Sequence, residues 1–211
     1  MNMINDNKVT IVGEILTDFQ FDHEIMGEKF YRFDVAVRRN SGTVDKVPVV
    51  ISEKIIDVKK SLVGEQIFIN GRFRSYNKQV GERRKLVLFV FVLDYEIMEV
   101  SIAGEICNHV EMTGFICKEP VYRTTPNGRE IADLLVAVNR PYGKSDFIPC
   151  ICWGRNAVYA SGFSVGDKVS LTGRVQSREY QKKTDNGCET RVAYELSVVK
   201  LNLLEDETNE E

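Results

Sequence analysis

Between Asp146 and Gly154 the sequence DFIPCICWG turns its side chains alternately to the two sides of an extended strand, and both sides are apolar. Ile148, Cys150 and Cys152 fall on one side and are small enough for a packed interior, while Phe147, Pro149, Ile151 and Trp153 fall on the other. Burying an aromatic side chain is worth about 1.5–3 kcal/mol that exposure forgoes, so a strand dividing core from water carries polar residues on its outer side. This outer side must meet something. Another protein surface would serve, and so would a ligand with flat apolar faces of its own, such as unpaired nucleobases. Arg140, Lys144, Arg155, Arg174 and Arg178 lie near these rings along the chain. Side chains of that type follow phosphates, and they are also the ordinary charges of a solvated surface.

Bond-making chemistry has no comparable residue set. His23 and His109 are far apart in sequence, with no nucleophile elbow or paired-acid pattern around either. Phosphate loops and dinucleotide fingerprints are missing. Cys107, His109 and Cys117 could supply three metal ligands, but Cys-x-His followed by one distant Cys is not a zinc spacing. The expectation is a binding protein, not an enzyme, with no cofactor and no metal.

The elements that must position the rings belong to a repeat. VTIVGEILTDF from Val9 returns as VEMTGFICKEP from Val110, and the same shift of 101 positions matches Gly27 with Gly128, Arg39 with Arg140, Asp45 with Asp146 and Pro48 with Pro149. After one inserted residue, Gly71-Arg72 matches Gly173-Arg174 and Ser75 matches Ser177. Two copies of about a hundred residues are each domain-sized. The reading is an N-terminal domain over 1–104, a C-terminal domain over 105–204 and an acidic tail over 205–211, joined near Ser101–Gly104.

Each copy is strand-rich. Val9–Leu16, Phe30–Arg38, Val47–Ile51, Gln66–Phe73 and Leu86–Tyr95 are β-branched or aromatic, and Gly, Asn or charged turns separate them. The second copy repeats the plan at Val110–Cys117, Ile131–Asn139, Phe147–Cys152, Lys168–Val175 and Thr190–Leu201. Between the third and fourth strands, Glu53–Val63 places Ile55, Val58 and Leu62 at helical spacing and predicts a helix; Arg155–Ser161 predicts its counterpart. Glu179–Glu189 reads as a polar loop forming a mobile hairpin, matched by Asn77–Lys85 with Lys78 and Arg83–Lys85. Five strands with a helix between the third and fourth is the order of the OB-fold, so the fold class is all-β, two tandem five-stranded Greek-key barrels.

Composition agrees with a globular protein: 211 residues, 43% hydrophobic and 28% charged, no apolar run near the roughly 20 residues that span a bilayer, and no signal-peptide pattern at the start. Five cysteines without framework spacing suit reduced thiols, and a cytoplasmic location is expected. The net charge of −3 conceals its distribution. Basic and acidic residues balance over 1–104, basic ones lead by two over 105–204, and Glu205–Glu211 holds five acids and no base. A neutral body is a weak electrostatic signal for a polyanionic partner.

In the second copy, Gly114, the turn Pro126-Asn127-Gly128, LLVAVNR from Leu134, DFIPCICWGRNA from Asp146 and VSLTGRVQSREY from Val169 stand in an order and spacing that resembles the bacterial single-stranded DNA-binding proteins, over most of Val110–Leu201. The resemblance implies four groove aromatics that stack on bases, at Tyr142, Phe147, Trp153 and Tyr180. Arg140, Lys144, Arg155, Arg174 and Arg178 would hold phosphates, with Arg39, Arg72 and Lys78 from the first copy. It also implies replication, repair or recombination as the setting, and four OB-folds per assembly, hence a homodimer. Val9–Leu16 and Val110–Cys117 are then the natural edges for pairing. The rival expectation is a primosome-like accessory factor whose aromatic face is a protein interface.

The first copy departs where it matters. Its matching positions are Ser41, Lys46, Ser52 and Lys78, none aromatic. A division of labour is expected, in which the second copy stacks bases while the first lends shape and charge; Tyr76 could compensate, whereas Phe73 alternates inward. The family's acidic tip closes on a hydrophobic residue, and EDETNEE has none, which puts recruitment of replication or repair proteins through it in doubt.

Overall fold

A computed structural model describes residues 6–98, 107–184 and 187–205, together with the backbone alone of 83, 142 and 182–184. The joint expected near Ser101–Gly104 and nearly all of the acidic tail lie outside the described residues.

The first repeat forms β1 (Asn7–Ile15), β2 (Gln20–Ile25), β3 (Glu28–Arg38), β4 (Val44–Ser52), β5 (Gln66–Val80) and β6 (Arg83–Met98). The second forms β7 (Asn108–Ile116), β8 (Val121–Thr124), β9 (Glu130–Arg140), β10 (Lys144–Trp153), the helix α1 (Arg155–Ala160), β11 (Lys168–Thr184) and β12 (Gly187–Leu203). In each repeat the sheet closes on itself, through β1 with β3 and through β7 with β9, which gives two OB-fold barrels. Alternation builds them: Val9, Ile11 and Ile15 of β1 and Val110, Met112 and Ile116 of β7 point inward and are buried. β5 and β11 bend into their barrels at register shifts at Gly71 and Gly173. There a Cβ would strike the carbonyl of Phe91 or of Ser197, so the close approach requires glycine.

Four differences from the sequence reading have physical reasons. A sixth short strand, β2 or β8, joins each barrel by a hairpin onto β3 or β9. These strands are mostly exposed and carry little apolar period to read. The expected helix at Glu53–Val63 is instead a series of turns, in which the Asp57 carboxylate accepts from the Lys59 N–H and Ile56, not Ile55, is buried. The expected hairpin loop at Glu179–Glu189 is, over its described residues, a continuation of the ladder of β11 and β12, with Tyr180 opposite Arg191 and Gln181 opposite Thr190. Asn77–Lys85 likewise extends β5 and β6 around a tight turn.

The fourth difference concerns the edges. β1 and β7 pair with each other, antiparallel, from Asn7 opposite Met112 to Ile11 opposite Asn108, so these two strands are partnered inside the chain and do not await a second copy over that stretch. The pairing joins both barrels into one 12-stranded sheet, and most of its buried apolar side chains form one cluster that runs through both barrels. Just beyond the pairing of Val9 with Gly71, the Asn7 amide donates to the Phe73 carbonyl and accepts from its N–H; just beyond the pairing of Val110 with Gly173, Asn108 treats Val175 in the same way.

Candidate nucleic-acid interface

β10 carries the central face. Ile148, Cys150 and Cys152 are buried as the alternation requires, and burial pushes the Cys150 thiol well above its ordinary value. Burial first, then the carboxylate of Asp133, pushes Cys152 up to about 12. On the outer side Phe147 is 38% exposed and Trp153 41% exposed. The face is not uniformly open: Ile151 is buried and Pro149 half-buried, because Ile151 lies in mid-sheet with Asp133 of β9 and Ser197 of β12 beside it. Two rings therefore mark the ends of the face, and its middle is closed.

β11 brings the third ring. Arg174, Gln176, Arg178 and Tyr180 alternate onto one side of this strand. Tyr180 is 37% exposed, with the Arg178 guanidinium 5.9 Å from its ring centroid. Arg178 Nε lies 3.7 Å from Glu195, whose carboxylate also accepts from Gln176 Nε2 at 2.7 Å. The fourth expected ring, Tyr142, has its backbone in a 3₁₀ turn over Pro141–Gly143, and its side chain lies outside the described residues.

Trp153 opens onto a cleft of about 400 Å³ lined by Arg39, Arg129, Arg174, Gln176 and Arg178. Arg174 Nε is buried without a hydrogen-bond partner, and among the described residues neither Arg174 nor Arg129 has a carboxylate to neutralise it. Arg129 escaped the sequence reading. The available signal was the Pro126-Asn127-Gly128 turn, which returns the chain so that Glu130 accepts from the Gly154 N–H beside Trp153.

Two of the expected phosphate ligands are engaged elsewhere. Arg140 makes a two-pronged ion pair with the buried carboxylate of Asp146 and donates to the Ser75 carbonyl of the N-terminal barrel at 2.9 Å. Arg39 grips Asp45 at 2.5 and 2.6 Å and donates to the Ser177 carbonyl at 3.2 Å. Burial alone would raise the Asp45 carboxyl, but Arg39 and the Ser177 N–H and hydroxyl outweigh it and hold Asp45 below its ordinary 3.8. Arg39 still lines the Trp153 cleft with its charge compensated, whereas Lys144 and Arg155 are exposed on β10 and at the start of α1.

The matching face of the N-terminal barrel is occupied by its own side chains. Lys46 pairs with Asp34 at 3.1 Å, and the Ser52 hydroxyl donates to Glu28 at 2.5 Å. Phe30, Val50 and Phe89 form a small buried cluster with Phe91 against it. Arg74 lies 4.0 Å over the Phe91 ring, His23 stacks on Phe30, and Tyr76 meets Phe89 edge-on. Burial first, then Arg140 and Arg72, lowers the Arg74 guanidinium to about 10. Tyr76 remains 38% exposed, as open as Phe147, while Phe73 is buried in the core. Arg72 Nε is buried without a hydrogen-bond partner among the described residues; Lys78 is exposed and faces Lys85 across β5 and β6.

The three candidate metal ligands do not converge. His109 contacts Glu111, the Cys117 thiol donates to the Leu135 carbonyl and the Cys107 thiol to that of Thr10. No cluster of His, Cys, Asp or Glu suited to a metal ion occurs among the described residues. No described helix is long and apolar enough to cross a membrane.

Residues 107–204 match the family model described as the single-strand binding protein family. That stretch is similar to this family. It is 36% identical over 83 residues to single-stranded DNA-binding protein 1 of Staphylococcus aureus and 35% identical over 83 residues to single-stranded DNA-binding protein A of Bacillus subtilis, each match covering 36% of this chain. The matched parts make up 50% and 48% of those relatives, so the chain spans about half the length of the curated proteins it matches. As a fold, the likeness extends to both barrels. The wild-type single-stranded DNA-binding protein from Thermus aquaticus superposes with a TM-score of 0.75 at 19% identity, over 94% of this chain and 93% of that one. The tandem OB-fold reading holds, and the resemblance seen in the second repeat is borne out there.

Proposed function

We propose that this chain binds single-stranded DNA without strong sequence preference and protects exposed strands during replication, repair or recombination. Trp153 carries the proposal: a part-exposed indole at the mouth of a cleft with unneutralised arginines offers a flat ring to a base and cations to its phosphates in one place. Stacking contributes about 1–3 kcal/mol per base and reads no sequence, because every base has a π-face. Phe147, Trp153, Tyr180 and, by position, Tyr142 are the stacking residues. Arg174, Arg178, Arg129, Lys144 and Arg155 hold phosphate, and no bond chemistry is involved.

The domains divide the work. The C-terminal domain, 105–204, stacks bases; in the N-terminal domain, 1–104, the corresponding face is filled by Arg74 and its phenylalanines, which supports a role in shape and charge. Lys78 opposite Lys85 is a like-charge pair that costs stability until an anion lies near it. Two copies of the chain would assemble four barrels. The test is binding of a labelled dT oligomer: Phe147→Ala with Trp153→Ala loses most affinity, whereas Lys46→Ala with Lys78→Ala chiefly flattens the salt dependence. Equal losses from both would overturn the division, and no loss from the first would overturn the function in favour of a protein interface.

A further inference from the structure

A second cleft, of about 460 Å³, lies where the two barrels meet. The end of β3 and the turn that follows it supply Arg38, Asn40 and Ser41 from the N-terminal barrel; β7 and β11 supply His109, Thr172 and Arg174 from the C-terminal one. Arg39 and Arg174 line this cleft and the Trp153 cleft alike, so the two are contiguous. Among the described residues no aspartate or glutamate lines it, and the acids bonded to its lining residues are already used. Asp45 is held by Arg39, and Glu111 accepts from His109 at 2.9 Å, while Arg38 and Arg174 have no carboxylate partner among the described residues. A polar cavity with two unneutralised guanidinium groups, one of them with a buried Nε that has no acceptor among the described residues, suits an anion.

We infer that this cleft seats phosphodiesters of the strand as it leaves the Trp153 groove, so that one DNA strand crosses from the C-terminal barrel to the N-terminal barrel at Arg38 and Arg174. The inference rests on the single-strand binding proposed above and extends it. The N-terminal barrel then touches DNA through the turn at Arg38–Ser41, not through its own groove face, which its phenylalanines fill. Ser41 stands where the C-terminal repeat has Tyr142, and a serine hydroxyl donates to a phosphate oxygen where a tyrosine ring would stack. Interlocking through Asp45 and Ser177 holds that turn against β11, so the path is formed before DNA arrives.

The experiment compares the full chain with Arg38→Ala combined with Ser41→Ala. Arg38 and Ser41 are exposed and outside both ion-paired networks, so the fold survives the change. The probes are dT oligomers of about 8 and about 30 nucleotides, the first within the ~4–16 nucleotides that one OB-fold holds. The double variant is expected to bind the short probe as the unmodified chain does. On the long probe it should lose about fivefold in affinity, with the slope of log K against log salt smaller by about 0.7 for the phosphate released. Identical slopes and affinities on the long probe would overturn the crossing while leaving groove binding intact. Failure of the unmodified chain to bind either probe would overturn the underlying function instead.

Discussion

The backbone N–H of Ser75, in the N-terminal barrel, donates to the carboxylate of Asp146, in the C-terminal barrel, at 2.5 Å. The repeat returns the contact in reverse: the Ser177 N–H donates to Asp45 at 2.7 Å. Each aspartate is gripped by the arginine six residues before it, and the Ser75 hydroxyl accepts from the Phe147 N–H, so the lock between barrels is continuous with the strand that presents the rings.

Removing one member of a buried pair strands the other, at a cost of about 3–5 kcal/mol. Asp146→Ala and Asp45→Ala are each expected to lower stability by about that much in urea titrations, with Arg140→Ala close behind. A change below about 0.5 kcal/mol, the ordinary effect of a surface substitution, would show that the lock is ornamental.

The Asp45 lock also has a pH signature. Its folded carboxyl lies below the ordinary 3.8, so its contribution is fully present above that value and is lost as pH falls through the lowered one. The stability gap between the unmodified chain and Asp45→Asn should therefore be constant near neutrality and close as pH drops below about 4. A gap that widened with acid would contradict the assignment.

Arginines with and without acidic partners should separate in salt titrations of DNA binding. Arg174→Ala and Arg129→Ala are each expected to reduce the slope of log K against log salt by about 0.7, the value for one phosphate on a single strand. Arg140→Ala, whose charge Asp146 already holds, should lower stability and leave the slope unchanged.

The thiols offer a check on the barrel itself. Cys188 is exposed, whereas Cys150 and Cys152 are buried and shifted away from the reactive thiolate. An aromatic disulfide reagent at mildly alkaline pH should modify Cys188 quickly and Cys150 and Cys152 only on unfolding. Prompt reaction of Cys150 would mean that β10 is not the strand described.

Much of this was legible in the residues. The repeat announced two barrels because matched strands keep matched spacing, and the alternation in DFIPCICWG placed Cys150 inside and Trp153 outside. Arg140 is close to the rings in sequence and Arg39 is its match in the first repeat, but each lies six residues from an aspartate on the neighbouring strand of a hairpin, and the ion pair forms there. Asp45 and Asp146 were aligned by the repeat, and their matched arginines were the missed signal. Arg129 was missed for the opposite reason: it is far from the rings in sequence, and only the turn at Pro126-Asn127-Gly128, with β9 closing against β10, carries it to Trp153. The turns at Glu53–Val63 passed for a helix because Ile55, Ile56 and Val58 satisfy more than one periodicity.

Trp153 is the only tryptophan in the chain, so its fluorescence reports on the groove alone. Titration of the full chain with a dT oligomer at low salt is the most direct measurement. Saturable quenching that disappears at high salt, with affinity falling about five- to a hundredfold in Phe147→Ala, is the predicted result. An unchanged emission, with undiminished binding of a labelled oligomer to Trp153→Ala, would show that the DNA lies elsewhere.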